Sequence, residues 1–298
     1  MSKFSEIQLN VASDQAIAGI QKHVPSIASF ARSFSSAAGS PFNGIALPIF
    51  ANLSGVSNQS ANSMADGTWC NGEELEGAVV TLDKHISKVY KMSDYTAQSV
   101  GDNLYLADAS RAIAEQVTLE AVKSVFTVTL GDANLSTVET LSDYTATAPT
   151  AKQGFAGLFA TASEKGLNPY DTVAVLDAPT FAACLSSLGD SAIYGGPEAV
   201  RNGVFENGPY GFKTVVMCPF LASGTKGFLI PYDSIGVASR YDAPAIDGYA
   251  ETWSAVDPKT GFTISYRVFE HLCNGAAYIG GSTLFGAKIL QKGIVKLT

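Results

Sequence analysis

One long helical pattern narrows what this chain can become more than any other feature. Ala109, Ile113, Val117, Ala121 and Val125 recur every fourth residue, after capping residues in Ser93-Asp94 and Ser99-Val100-Gly101-Asp102. That spacing puts the five side chains on one face of an α-helix. A single helix is predicted from Asp102 to about Val125, with Gly131 beyond its end. At 1.5 Å per residue it is roughly 35 Å long, enough to act as the backbone of a domain. Such a stripe must be buried against an element of comparable length.

That element is visible near the C-terminus. From Phe262 to Phe269 apolar and polar residues alternate, as they do on a strand with one buried face. The preceding Asp257-Pro258-Lys259-Thr260-Gly261 is hairpin-turn chemistry, and Tyr249 to Ala255 supplies the strand before it. Two antiparallel strands are expected, with Ile113, Val117 and Ala121 packing near Tyr266 and Val268. The opposite face, Thr263, Ser265 and Arg267, reads as an ordinary solvated strand face. Gly280-Gly281 and Leu284 to Leu290 close the chain with a further strand.

Between these landmarks the pattern is mixed. A second helix is expected from Lys152 to Lys165, stopping at Gly166, and another begins at Pro179 and contains Phe181 to Leu188. Thr172 to Leu176, Lys213 to Met217 and Gly227 to Ile230 read as short strands, and a glycine-rich loop from Gly189 to Gly211 carries Arg201. Met1 to Phe42, rich in Ser and Ala, reads as a mobile arm with one loosely amphipathic helix that is not a core element. Ile45 to Ala51 contains Pro48 and suits an edge strand or extended arm. Asn52 to Glu76 is small and polar, and β-branched residues resume at Ala78 to Leu82 and Ile86 to Met92. Two extended strands joined by a long projecting tip are the simplest picture.

Composition excludes several classes. Hydrophobic residues make up 46% and charged residues 15% of 298, too apolar for disorder. The net charge of −8, with no basic cluster in the sequence, argues against a nucleic-acid-binding module. So little charge also suggests a surface partly covered by other subunits. No basic segment followed by an apolar one opens the chain, and no run nears the ~18 apolar residues of a membrane helix, so a cytosolic protein without a membrane segment is expected. Cys70, Cys184, Cys218 and Cys273 show no C-x-x-C spacing and read as free thiols.

Catalytic chemistry is scarce. The nucleotide-binding, hydrolase and metalloprotease motifs are all missing. His271 and Cys273, two apart on a strand, would share a face and could activate a thiolate or hold zinc, but no second ligand pair lies nearby. His23 and His85 read as surface residues. Glu73, Glu74 and Glu76 read as solvated carboxylates before they read as a metal site. No catalytic residue, cofactor or metal is therefore assigned. Trp69 is odder, because a tryptophan in a polar loop has no local core to enter. It is either folded inward or an anchor for a neighbouring subunit. Trp69, Glu73, Glu74 and Arg201 are the candidate inter-subunit contacts.

Taken in order, these elements resemble the major capsid proteins of tailed bacteriophages, the α+β Hong Kong 97-type fold. Ile235-Gly236-Val237-Ala238-Ser239-Arg240 looks like the family, as does the stretch from Asp257-Pro258-Lys259-Thr260-Gly261 through Tyr266-Arg267-Val268 to Leu284-Phe285-Gly286-Ala287-Lys288-Ile289-Leu290. The resemblance implies an N-terminal arm over 1–43, an extended two-stranded loop over 44–92 and the spine helix of a peripheral sheet domain over 93–130. It further implies a mainly axial domain over 131–235, and returning peripheral strands with the C-terminal strand over 236–298. A non-enzymatic shell protein of the virion capsid would follow, assembling in a host cytoplasm into hexamers and pentamers that close into an icosahedron around double-stranded DNA. A portal is implied, and because the chain opens at the arm, so is a separate scaffolding protein. An encapsulin-like compartment fits the same elements, and a soluble α+β enzyme is the third reading. Lys84, Lys88 and Lys91 lie at the base of the loop and not at its tip, so the lysine–asparagine crosslink of some relatives is not carried over.

Overall fold

The computed structural model describes residues 6–23, 25–33, 44–49, 76–92, 102–130, 137–139, 154–187, 204–206, 211–241, 250–271, 276–290 and 293–298. In chain order these give α1 (Glu6–Gln21), a short α2 (Pro25–Ala28), β1 (Ala31–Ser33), β2 (Gly44–Ile49), β3 (Glu76–Thr81) and β4 (Lys84–Met92). The long helix α3 (Asp102–Ser124) runs into a π-helical turn, Val125–Thr129. Then come β5 (Thr137–Glu139), α4 (Gly154–Glu164), β6 (Thr172–Leu176), α5 (Ala178–Ser187), β7 (Val204–Glu206), β8 (Thr214–Met217), β9 (Gly227–Pro231) and β10 (Ile235–Arg240). The chain ends with β11 (Glu251–Val256), β12 (Thr263–His271), β13 (Ala276–Ile289) and β14 (Val295–Leu297).

The expected helix-on-strand contact forms. Ile113, Val117, Ala121 and Val125 are all buried, in one cluster with Ile264, Tyr266, Ile279 and Phe285 of the sheet, and Val268 packs at its edge. Tyr266 Oη donates to the Ser110 carbonyl at 3.0 Å and its ring stacks on Trp253 at 5.2 Å. Gly281 explains how the helix comes so close: a Cβ there would run into Ile113 Cγ2 and sit 3.1 Å from the Tyr266 ring. A glycine that weakens a strand intrinsically is tolerated where another element needs its space.

This first sheet is organised around β13. Residues 277–282 pair with both β4 and β12, while Leu284 and Phe285 pair with both β4 and β10. So β4 occupies one edge of β13, and β12 and β10 follow one another along the other. Antiparallel β11 extends the sheet beyond β12, and parallel β1 extends it beyond β10. Within 44–92, β2 and β3 form a separate antiparallel pair, and β4 belongs to the main sheet.

The second sheet has the order β5-β14-β9-β6-β8-β7, so the last strand of the chain joins the middle segment. β6 shows why all its positions are buried: Ala174 and Leu176 face a core built with Phe155, Leu158, Phe181 and Phe212, while Val173 and Val175 face the α3 core. Helix α5 starts as predicted, capped by the Asp177 carboxylate, which accepts from the Thr180 N–H at 2.9 Å. Helix α4 is followed by Gly166 at φ 73°.

Two expectations are corrected. The N-terminal segment is part of the core over its described residues: Ala12, Ala16, Ile20 and Phe30 are fully buried, and β1 adds a strand to the sheet. α1 looks weakly amphipathic because its contact face is made of small residues. A Cβ on Gly19 would lie 2.7 Å from the Arg111 carbonyl, so the backbones of α1 and α3 nearly touch. The face holding Thr263 and Ser265 is likewise not solvated there. Both are buried, and Ser265 Oγ donates to the Ser282 carbonyl at 3.1 Å while the Thr263 N–H reaches Ser239 Oγ at 3.3 Å. Hydroxyls tolerate burial when hydrogen-bonded, and their polarity hides this from the pattern.

Two substitutions test the helix–sheet contact. Gly281→Ala overpacks it and is expected to cost about 1–3 kcal/mol in urea unfolding. Ile113→Asp places an unpaired charge in the core and is expected to yield insoluble protein. Soluble, wild-type-like protein in both cases would show that α3 does not depend on β13.

Candidate functional site

Reactive groups do not converge. Among the described residues no group of three or more His, Cys, Asp or Glu could hold a metal ion, and no helix is long and apolar enough to cross a membrane. Cys184 and Cys218 are buried, and burial pushes the Cys218 thiol up to about 11, so it is held protonated. A small cleft between α2, α3 and the first sheet is walled by Ile27, Ala31, Val122, Val237, Phe262 and Phe285, with only hydroxyls as polar neighbours. Such surroundings supply packing and no acid–base or nucleophilic chemistry. Of the residues singled out in the sequence, Trp69, Glu73, Glu74, Arg201 and Cys273 lie outside the described residues, and His271 ends β12.

What the geometry offers is a set of attachment points. The first is the root of the β2–β3 hairpin. β3 crosses over β13 and β10 on the face away from α3, where Val80 and Leu82 bury against Ala238, Leu284 and Leu290. The crossing is at van der Waals range: a Cβ on Gly286 would collide with the Thr81 carbonyl, and one on Gly236 would lie 3.2 Å from Val80 Cγ2. The hairpin is therefore seated on the sheet by a small patch at one end.

The second is a polar clasp at the end of α1. Gln21 Nε2 donates to Asp257 Oδ1 at 3.1 Å, tying residues 236 positions apart. The same carboxylate takes the Thr260 N–H at 3.2 Å, the Thr260 hydroxyl and, more weakly, the Lys259 N–H at 3.4 Å. Burial pushes the Asp257 carboxyl up, but these hydrogen bonds, from Thr260 and Gln21 foremost, outweigh it and hold the pKa below its usual value. At the next residue, Lys22 Nζ meets Glu115 Oε2 at 2.9 Å, and Arg111 Nε meets Glu115 Oε1 at 3.3 Å. The Lys22 hydrogen bond is the main reason that Glu115 is also lowered. His23 is lowered by burial and by Lys22, with Glu115 opposing. The sequence shows the Asp257 turn but nothing that points from it to Gln21, because the link is purely tertiary.

No protein-family model matches this chain, and no curated protein matches it in sequence. Solved structures do. The chain is similar to the virus-like particle from Pyrococcus furiosus at 10% identity and TM-score 0.56, over 96% of this chain and 96% of that chain. It is similar to a chain of Mycobacterium phage Che8 at 15% identity and TM-score 0.51, over 89% and 87%. With the Cyanophage A-1(L) capsid it shares 12% identity and TM-score 0.52, over 93% and 92%. What is shared at such identities is the fold, and it is the Hong Kong 97-type α+β capsid fold that the sequence resembles.

The clasp makes stability fall with acid. A carboxylate whose pKa is lowered on folding adds stability above its unfolded pKa and loses it as pH falls through the folded value. A histidine lowered on folding acts in the same direction, since the unfolded chain takes up its proton first. Urea midpoints are expected to begin dropping below pH ~6.5 through His23 and to drop again below pH ~4 through Asp257 and Glu115. Asp257→Asn is expected to lower stability by about 1–3 kcal/mol at pH 7 and to flatten the acid limb. An unchanged acid limb would remove Asp257 from the clasp.

Proposed function

We propose that this chain is a major capsid protein, a non-enzymatic shell subunit that assembles into hexamers and pentamers of an icosahedral container for double-stranded DNA. The observation that carries this is the extent of the shared fold, which takes in 93% of this chain and 92% of a phage capsid chain. A fold common to two whole chains leaves little of this one for a separate catalytic unit. In this function α1, α3 and the first sheet are the peripheral domain, and the β2–β3 pair is the root of the extended loop. The second sheet with α4 and α5 is the axial domain, which then includes β14. Trp69, Glu73, Glu74 and Arg201 act as inter-subunit contacts. A scaffolding protein and a portal are the expected assembly partners, in the cytoplasm of a host.

Physical features support a subunit that is finished only by its neighbours. The hairpin is anchored through Val80 and Leu82, each worth about 1.5–3 kcal/mol on full burial. By composition Asn52 to Glu76 is small and polar and can bury little apolar area against an ordering entropy of about 1–2 kcal/mol per residue, which supports a loop ordered by neighbouring subunits. A net charge of −8 gives counterion release little purchase, so DNA is enclosed without being gripped. The similarity to the Pyrococcus furiosus virus-like particle favours a second reading, an encapsulin-type compartment.

Electron microscopy of the purified protein is expected to show closed particles of uniform diameter, and a chain that stays monomeric at high concentration under crowding would overturn the proposal. Nucleic acid inside particles isolated from the native source supports the capsid, and a protein cargo supports the compartment. Trp69→Ala is expected to leave the monomer folded and reduce particle yield; normal yield would remove the anchor role. In filter binding at physiological salt, unassembled protein is expected to bind duplex DNA no more tightly than micromolar, and submicromolar binding would contradict enclosure without grip.

A further inference from the structure

The edge strand β4 and the sheet face beside it form a surface that nothing in the fold has yet used. Lys84, Lys88 and Lys91 lie along this one strand, spanning about 23 Å. None has an ion-pair partner among the described residues, and Lys88 and Lys91 are exposed. Apart from its pairing with β13, β4 has no strand neighbour among the described residues. The cations flank the edge on both faces: Lys84 and Lys88 share the α3 side with Ile86 and Tyr90, Lys88 Nζ lying 5.5 Å from the Tyr90 ring, while Lys91 shares the other side with Val89. On the face away from α3, Val89 lies over Gly280, 3.1 Å from where its Cβ would be, and is 49% exposed. Beside it Phe269, 36% exposed, stacks on Tyr278 at 5.4 Å, directly across from Lys91. The edge thus carries cations on both faces and exposed apolar groups on one, with Lys91 among them, in a chain whose net charge is −8.

We propose that the β4 edge with Val89 and Phe269 is a docking surface for an acidic face of a second copy of this chain. This rests on the shell function and names one of its contacts. Charge decides the occupant. Any second copy is acidic overall, so a basic strip is where it meets attraction instead of repulsion, and such complementarity steers approach and fixes register. Exposed Val89 and Phe269 give a protein partner apolar surface to bury, which a phosphate backbone would not need. A basic strip meeting a different, acidic region on the neighbour is a head-to-tail contact, the kind that closes rings.

Edge-strand lysines also serve to block unwanted pairing, and the two roles differ in sign. If Lys84, Lys88 and Lys91 only guard the edge, neutralising them increases self-association; if they dock a neighbour, it decreases. The experiment compares wild type with Lys84→Gln/Lys88→Gln/Lys91→Gln, the corresponding triple Glu variant and Val89→Ser. Near-UV circular dichroism confirms each fold, and sedimentation velocity and electron microscopy follow association against concentration and salt. The critical concentration for association is expected to rise at least tenfold in the Glu variant, less in the Gln variant and in Val89→Ser, and to rise with salt in wild type. Wild-type association of the Glu variant, or increased association of the Gln variant, overturns the proposal. So does a Glu variant that assembles normally but no longer retains nucleic acid, which would assign the strip to phosphate. Lysine-dependent wild-type association that never closes into particles sinks the shell function and leaves the docking surface standing. A wild-type chain that does not associate sinks both.

Discussion

Everything else in this fold depends on how closely α3 approaches β13. Ile113 sits where a side chain on Gly281 would be, Tyr266 reaches past it to the Ser110 carbonyl, and Trp253 covers the Tyr266 ring. The helix is thereby fixed in register as well as in depth, because only one turn of α3 can lie over the glycine. Once α3 is seated, α1 packs along its flank at a distance set by Gly19 and reaches β11 and the Asp257 turn of the same sheet. Small residues on α1 and a missing side chain on β13 leave little free volume between these elements, and tight packing transmits displacement.

The same helix joins the two sheets. Beyond Ser124 the helix changes to a π-helical turn, and the buried Phe126 and Leu130 near that end share a core with Val173, Val175, Phe228 and Ile230 of the second sheet. β6, β8 and β9 of that sheet are consequently buried on both faces, by this core on one and by the Phe155–Phe181 core on the other. A π-turn widens the helix locally and is found where side chains must be re-aimed. Here it lies where the buried face of the helix passes from one sheet to the next.

Much of this is legible in the residues, and the exceptions share a cause. The fourfold period of α3, the alternation of β12, the Asp257 turn and the Pro179 helix start are strong because each is a local pattern of large or special side chains. α1 reads as peripheral because a contact face of Ala and Gly carries almost no hydrophobic contrast. The buried hydroxyls of Thr263 and Ser265 mislead because polarity in a sequence does not say whether a hydrogen-bond partner waits in the neighbouring strand. The Gln21–Asp257 tie is invisible for a third reason: neither residue is unusual until the fold brings them together. Of the proposed assembly contacts, Trp69 stands out in sequence as a large aromatic without a local core, while the β4 lysines come into view only once their strand is seen to be an edge.

β13 connects the core to the hairpin root and to the β4 edge. Its first half carries β12 and β4, its second half carries β10, and β3 lies across its outer face at Gly286. A load applied to the hairpin therefore reaches the sheet at the strand that also holds α3. Two glycines on one strand mark the two crossings, Gly281 facing the helix and Gly286 facing the hairpin, on opposite faces because the positions are an odd number of residues apart. Under the proposed shell function this arrangement is an advantage, since a force on the hairpin root enters where packing is densest. The β4 edge is hydrogen-bonded along the same strand on which the hairpin root packs by van der Waals contact, so both bear on one structural element.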